Sequence, residues 1–193
     1  MGIFCLYFIW TYCTKQFYFS THKTLSRRLR LLLTCVIMLI FLDIDGVMVP
    51  AKGWKSPELL EDGFPSFSVA ATQVLQKIMS EQTALVLTSS HKSNYTLEEW
   101  KNIFSRRGIV VHRLKSLDKN VNHLNRKDEV LNWFANHLVD ENFVILDDDK
   151  SLNSLPSHLK DHLVLTSSLI GLSQEHLVQI EAVLKMDVQV EHA

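Results

Sequence analysis

The sequence predicts a three-layer α/β/α fold built on a parallel sheet, and three features carry that reading. An apolar run from Val36 to Leu42 ends at once in Asp43, Asp45 and Gly46. A strand without polar alternation is buried on both faces, as in a parallel sheet with helices above and below it. Strand-like runs then alternate with segments of helical period to the end of the chain, which implies successive right-handed crossovers. Only a loop and one helix separate the first two strands, and sheet-and-helix elements fill Ser90 to Arg126, so there is no room for a large cap domain.

The elements follow in order. Val49 to Gly63 contains Pro50, Gly53, Pro57 and Gly63 and reads as a loop, with a turn of helix at Pro57 to Glu61. Ser66 is the expected N-cap of a first helix whose buried stripe is Val69, Ala70, Val74, Leu75, Ile78 and Met79. Ala84 to Leu87 is a second strand, running into Thr88-Ser89-Ser90. A helix with Leu97, Trp100, Ile103 and Phe104 inward should end at Gly108, and Ile109 to Val111 should be the third strand. Lys127 to Leu138 is helical by Val130, Leu131, Phe134 and Leu138. Phe143 to Leu146 is a fourth strand leading into Asp147-Asp148-Asp149, Leu163 to Leu165 a fifth, and Gln174 to Leu184 a closing helix. No internal repeat interrupts this series, and no glycine-rich phosphate loop of the Walker or dinucleotide kind occurs in it.

The 193 residues suit one domain with an appendage, and 20 basic residues nearly balance 21 acidic ones. Nothing global therefore points to a nucleic-acid or membrane surface. The average hides an asymmetry, because Met1 to Leu42 has no Asp or Glu while Lys15, Lys23, Arg27, Arg28 and Arg30 are basic. All three cysteines, Cys5, Cys13 and Cys35, also lie there. The body of the chain thus has no disulfide framework or Cys-based zinc site, which fits a reducing, cytoplasmic setting.

Three readings stand for this leader: a signal or anchor segment, a transit peptide, or residues outside the working domain. Gly2 to Cys13 is apolar but shorter than the roughly 20 residues a spanning helix needs. Leu31 to Leu42 behind the arginines imitates a signal peptide, yet cleavage near its end would cut beside the acidic pair. Met38 stands just before the strand. The expectation is that residues 1–37 are dispensable, an upstream translation artefact or signal-like segment, and that residues 38–193 form the working domain with no stable membrane partner.

Asp43 and Asp45 oppose each other's ionisation unless a cation or a shared proton relieves them. Mg²⁺ is the natural relief, since it takes oxygen ligands and is commonly held by one or two carboxylates beside a substrate phosphate. Alone, such a pair is as readily a turn or helix cap. Chain order raises it above that: Thr88 and Ser89 follow the second strand, Arg126 and Lys127 open a later helix, and Asp147 and Asp148 follow the fourth strand. All are expected at one edge of one sheet. Lys127 is cationic where the helix dipole favours an anion, a weak pointer to an anionic partner. Asp149 reads as a cap or as a group standing behind the metal ligands, and His91, His112, His123, His137, His158 and His162 as surface or loop residues, with His91-Lys92, just past Thr88-Ser89-Ser90, a weak candidate for touching substrate. Trp54, Trp100 and Trp133 read as packing groups rather than base-stacking ones.

With LDIDGV, LVLTSS, NRKDEV and VILDDD in this order, the chain resembles the haloacid dehalogenase-like (HAD) hydrolase superfamily from about Met38 to Leu184. Within it, the chain is most similar to the minimally capped HAD domains found beside RNA-repair (Swiss Army Knife) enzymes. Arg126-x-x-Glu129-Val130 followed by Trp133 carries that finer likeness; His91 departs from it, standing where that subgroup would have Trp. The resemblance implies a Rossmann-like HAD fold and a Mg²⁺-dependent phosphatase. In such an enzyme Asp43 attacks phosphorus to form an aspartyl-phosphate, and Asp45 is the general acid and base. Thr88 or Ser89 bonds the phosphoryl oxygens, Arg126 or Lys127 offsets their charge, and Asp43, Asp45, Asp147 and Asp148 form the metal site.

The expected substrate is a phosphorylated small molecule or a nucleic-acid end, since an open site admits either; oligomeric state is not legible. A receiver-like phosphoacceptor uses the same residue types, but there the acidic pair comes first and a lone Asp, Thr/Ser and Lys follow, whereas here the multiple acids return last. A metal-binding Asp-x-Asp of a glycosyltransferase would need a nucleotide-binding domain for which the chain has little room. A HAD fold kept as a non-catalytic binding module would not need Asp43 and Asp45 both intact.

Overall fold

The computed structural model describes residues 38–51 and 57–190. The leader, 1–37, lies outside them, and so do Trp54, Gly53 and the expected start of the first strand at Val36. Five strands form one sheet: β1 (Met38–Leu42), β2 (Thr83–Leu87), β3 (Arg113–Ser116), β4 (Phe143–Asp147) and β5 (Leu163–Leu165). All neighbouring pairs are parallel, in the order β3-β2-β1-β4-β5. The chain runs outward from β1 through β2 to β3, then returns to β4 on β1's other side. That reversal is the switch point of an open α/β sheet, where a crevice opens beyond the carboxyl ends of the strands.

Period-two alternation splits each central strand between two cores. Ile40, Leu42, Leu85, Leu87, Val144 and Leu146 face one layer of helices. It comprises α1 (Val69–Ile78), α2 (Leu97–Arg106) and α5 (Gln174–Val190). Leu39, Phe41, Ala84, Val86 and Ile145 face the other, where Val130 and Trp133 of α3 (Arg126–Asn136) and Leu159 of α4 (Ser157–Lys160) close over them. Both strand faces are therefore dry, which is why β1, β2 and β4 read as unbroken apolar runs. The fold is the expected three-layer α/β/α arrangement.

Helix ends follow local chemistry. Thr96 and Glu99 form a reciprocal capping box at the start of α2, and Gly108, at φ +76°, stands just beyond its end, a conformation glycine adopts freely. Asn125 caps α3 by accepting from the Asp128 amide at 2.9 Å. Ser68, not Ser66, caps α1, accepting from the Ala71 amide at 3.1 Å. Ser66 is instead tied by its amide to the Glu58 carbonyl at 2.9 Å. Of the expected stripe, Val74 and Leu75 are buried and Ile78 and Met79 pack against the core, but in the first turn Ala71 is the buried residue while Val69 is 73% exposed and Ala70 also faces solvent.

Other expectations fail for tertiary reasons. Pro57 to Glu61 forms no helical turn; Leu59 and Pro65 make an isolated antiparallel bridge around a tight bend. Ile109 to Val111 is not β3: Ile109 and Val111 are buried, but the paired strand begins at Arg113, opposite Ala84. The true β3 is a sheet edge with only Leu114 buried, so its sequence looks polar. Leu97 is partly exposed, and α3 ends at Asn136 with Leu138 almost fully exposed. Among the described residues no helix is long and apolar enough to cross a membrane.

Candidate active site

β1 and β4 are adjacent, and the Asp43 amide donates to the Leu146 carbonyl at 3.0 Å. Asp43, just past β1, is therefore carried beside Asp147, the last residue of β4. Both are buried. One oxygen each of Asp43, Asp147 and Asp148 lie within 4.8 Å of one another. Asp148 packs against Gly46, where an added Cβ would fall 2.1 Å from its carboxylate. With φ +72° as well, the turn after β1 accepts only glycine there without displacing Asp148.

Arg126, at the start of α3, reaches into this group. Its Nη2 is 3.3 Å from Asp43 Oδ1 and its Nε is 3.2 Å from Asp147 Oδ2. Neither contact is aligned as a hydrogen bond, so Asp43 Oδ1 and Arg126 Nε are both buried without a hydrogen-bond partner. Nη1 donates to the Thr88 carbonyl and lies 3.4 Å from Glu129 Oε2. Glu129 in turn pairs with Lys92 at 2.7 Å, and Lys92 is only 6% exposed.

Burial pushes the Asp43 carboxyl above the ordinary range, and Arg126 opposes that only in part. Asp147 is pushed up as well, first by burial and then by the charge of Asp43. Burial raises Asp148 too. For Arg126, burial disfavours the cation, but Asp43, Asp147 and Glu129 outweigh it and hold the guanidinium charged.

The expected residues divide under this geometry. Thr88 joins the cluster, with its Oγ1 3.5 Å from Asp147 Oδ2. Ser89, also buried, caps the short 3₁₀ turn Ser90–Ser93 by accepting from the His91 amide at 3.2 Å. Arg126 rather than Lys127 meets the carboxylates, because the start of α3 aims only the first of the two inward. Lys127 is half-buried and makes no ion pair with them. Asp45 lies outside the three-carboxylate group; its side chain is 57% exposed and stands 2.9 Å from His91 Nε2. Asp149 caps the next 3₁₀ turn, accepting from the Ser151 amide at 2.8 Å, the first of its two expected roles.

Three residues were not legible as site residues: Lys92, Glu129 in its pairing role, and His91 as the partner of Asp45. Glu129 stands at i+3 from Arg126, a spacing that places both on one helix face. His91-Lys92 is marked only by its place just past the LVLTSS motif, a weak pointer to substrate and none to these pairings, since the partners of Lys92 and His91 are 37 and 46 residues away in the chain.

The donor set suits a hard divalent cation. Three carboxylates gather and one guanidinium pairs with two of them, leaving a surplus of two negative charges when all are ionised, and Asp43 offers a buried oxygen with no hydrogen bond. A family model described as the HAD domain in Swiss Army Knife RNA repair proteins matches residues 39–177. Comparison with curated proteins and with solved structures returned no match.

Proposed function

The chain belongs to this family of HAD domains, and from that premise we propose that it is a Mg²⁺-dependent phosphomonoesterase working through an aspartyl-phosphate on Asp43. One observation carries the proposal: Asp43 and Asp147, from neighbouring strand tips, share Arg126, while Asp43 Oδ1 has no hydrogen bond of its own. The pairing gathers at one point the nucleophile, a second carboxylate fit to hold a metal and a cation that offsets their charge.

In the first half-reaction an Asp43 oxygen bonds to phosphorus as the bond to the leaving oxygen breaks, and Asp45 gives that oxygen a proton. In the second, Asp45 takes a proton from water, whose oxygen displaces Asp43 from phosphorus. Splitting the displacement in this way replaces one difficult step by two easier ones. Arg126 offsets the charge gathered on phosphate and carboxylates, and the Thr88 hydroxyl bonds a phosphoryl oxygen. Glu129, backed by Lys92, orients Arg126. Asp43, Asp147 and Asp148, with the Asp45 carbonyl, would hold Mg²⁺, which when bound supplies positive charge that lets a phosphate dianion approach these acids.

The family description favours a nucleic-acid end as the phosphate carrier, and among the described residues no cap domain stands over the site; nucleotides and small phosphate esters remain the competing substrates. A panel of nucleotides, sugar phosphates and 3′- or 5′-phosphorylated oligonucleotides, with and without Mg²⁺, separates them. Turnover that survives Asp43→Asn rules out the covalent route. The working domain is taken as residues 38–193; a protein begun at Met38 should fold and keep its activity, and loss of either overturns that boundary.

A further inference from the structure

We infer that His91 is a positioning residue for Asp45, holding its carboxylate over the leaving oxygen; this rests on the phosphatase reading above. Asp45 is the exposed residue of an otherwise buried turn after β1, and among the described residues His91 is the one side chain paired with its carboxylate, at 2.9 Å. An aspartate 57% open to water has little else to fix its rotamer.

His91, by contrast, is fixed from several sides. Its amide donates to Ser89 Oγ at 3.2 Å, and its carbonyl accepts from the Asn94 amide at 2.9 Å. The Asn94 side-chain amide stands 3.3 Å from Nδ1. That amide nitrogen only donates, so Nδ1 accepts and the ring proton sits on Nε2, facing Asp45. The ring meets Phe64 edge to face, with centroids 6.0 Å apart. Phe64 is buried, and its carbonyl accepts from Arg107 at 2.7 Å. The imidazole therefore brings the rigidity of the buried aromatic layer to an otherwise free carboxylate. Being solvent-facing, the pair contributes little to stability. Its effect belongs in the chemistry.

The step concerned is the first half-reaction. As the Asp43–phosphorus bond forms and the phosphorus–oxygen bond breaks, the carboxyl proton of Asp45 passes to the departing oxygen. An alkoxide needs that proton and p-nitrophenolate does not, so a misplaced Asp45 harms one ester class selectively. kcat/KM reports only events through this step, which separates it from Asp45's later role toward water.

The test compares kcat/KM for an alkyl phosphate and p-nitrophenyl phosphate, at one pH with saturating Mg²⁺, in the full chain and in His91→Leu and His91→Gln. His91→Leu should lose about 10- to 100-fold on the alkyl ester and no more than about threefold on the aryl ester. Its thermal unfolding midpoint should match that of the unaltered protein. His91→Gln, which keeps an N–H near the Nε2 position, should recover most of the loss. Equal losses on both esters, no loss on either, or no recovery with Gln would overturn the positioning role and leave the phosphatase reading standing. An unaltered protein that hydrolyses neither ester, nor any member of the wider panel, ends both.

Discussion

Arg107 and Arg126 are both largely buried guanidiniums facing carboxylates, yet their surroundings could hardly differ more. Arg107 is saturated. Its Nη1 and Nη2 grip Asp62 at 2.7 and 3.1 Å, and the remaining N–H groups donate to the carbonyls of Pro65, Ile103 and Phe64. Its guanidinium also lies over the rings of Phe64 and Phe67. Arg126 meets Asp43 and Asp147 without hydrogen-bond alignment and leaves Nε unpartnered. The carboxylates respond in opposite directions: the Arg107 hydrogen bonds pull Asp62 down to about 2, whereas burial raises Asp43 and Asp147. A complete set of bonds makes a latch, which pins the 57–67 segment onto α2. An incomplete set is what a site for a further ligand requires, since a buried polar group left unpaired is costly.

The contrast is sharpened first at Asp43. Asp43→Asn should lower turnover by roughly 10⁴-fold or more, the scale seen when a nucleophile is removed, while unfolding in urea changes little or shows a gain. A large loss of stability would mean that Asp43 belongs to a structural pair like that of Asp62.

Arg107→Met should cost about 3–5 kcal/mol, because it strands Asp62 and three carbonyls in partly buried surroundings. Arg126→Met should destabilise distinctly less, since its raised carboxylates can take protons, yet should reduce turnover by about 10²–10³-fold. Equal stability losses for the two variants would erase the distinction.

The pH dependence should have opposite signs at the two places. Asp62 is depressed, so its contribution is complete above the unfolded value near 4 and is lost as pH falls toward about 2. Arg107→Met should abolish that acid limb of the stability profile. Asp43 and Asp147 are raised, so the metal-free protein should lose stability as pH climbs above the ordinary carboxylate range. Mg²⁺ should offset this smallest effect, by about 2–3 kcal/mol at a hundredfold excess over its dissociation constant. The gain should vanish in Asp147→Asn.

The difference between the two arginines also marks what a sequence can disclose. Asp43, Thr88 and Asp147 were legible because each terminates a strand buried on both faces, and such strands declare themselves as apolar runs ending in a polar residue. Edge strand β3 could not be placed this way. Arg113 and Lys115 face solvent around the single buried Leu114, while the apolar Ile109 to Val111 connector mimics a strand. Ser66 and Ser68 are equally good caps by type, and Arg126 and Lys127 equally good cations. Only the packing of α1 and α3 chooses between them. The Arg107 latch, Lys92 with Glu129, and His91 with Asp45 join residues 37 to 46 positions apart. No local period records such pairings.

The most direct test is rapid acid quenching during turnover of a phosphomonoester with Mg²⁺ present, followed by mass analysis of the peptide containing Asp43. One hydroxylamine-labile phosphoryl group should appear on Asp43 and be absent from Asp43→Asn. Steady turnover with that peptide unmodified at every quench time, and undiminished in Asp43→Asn, would contradict the account.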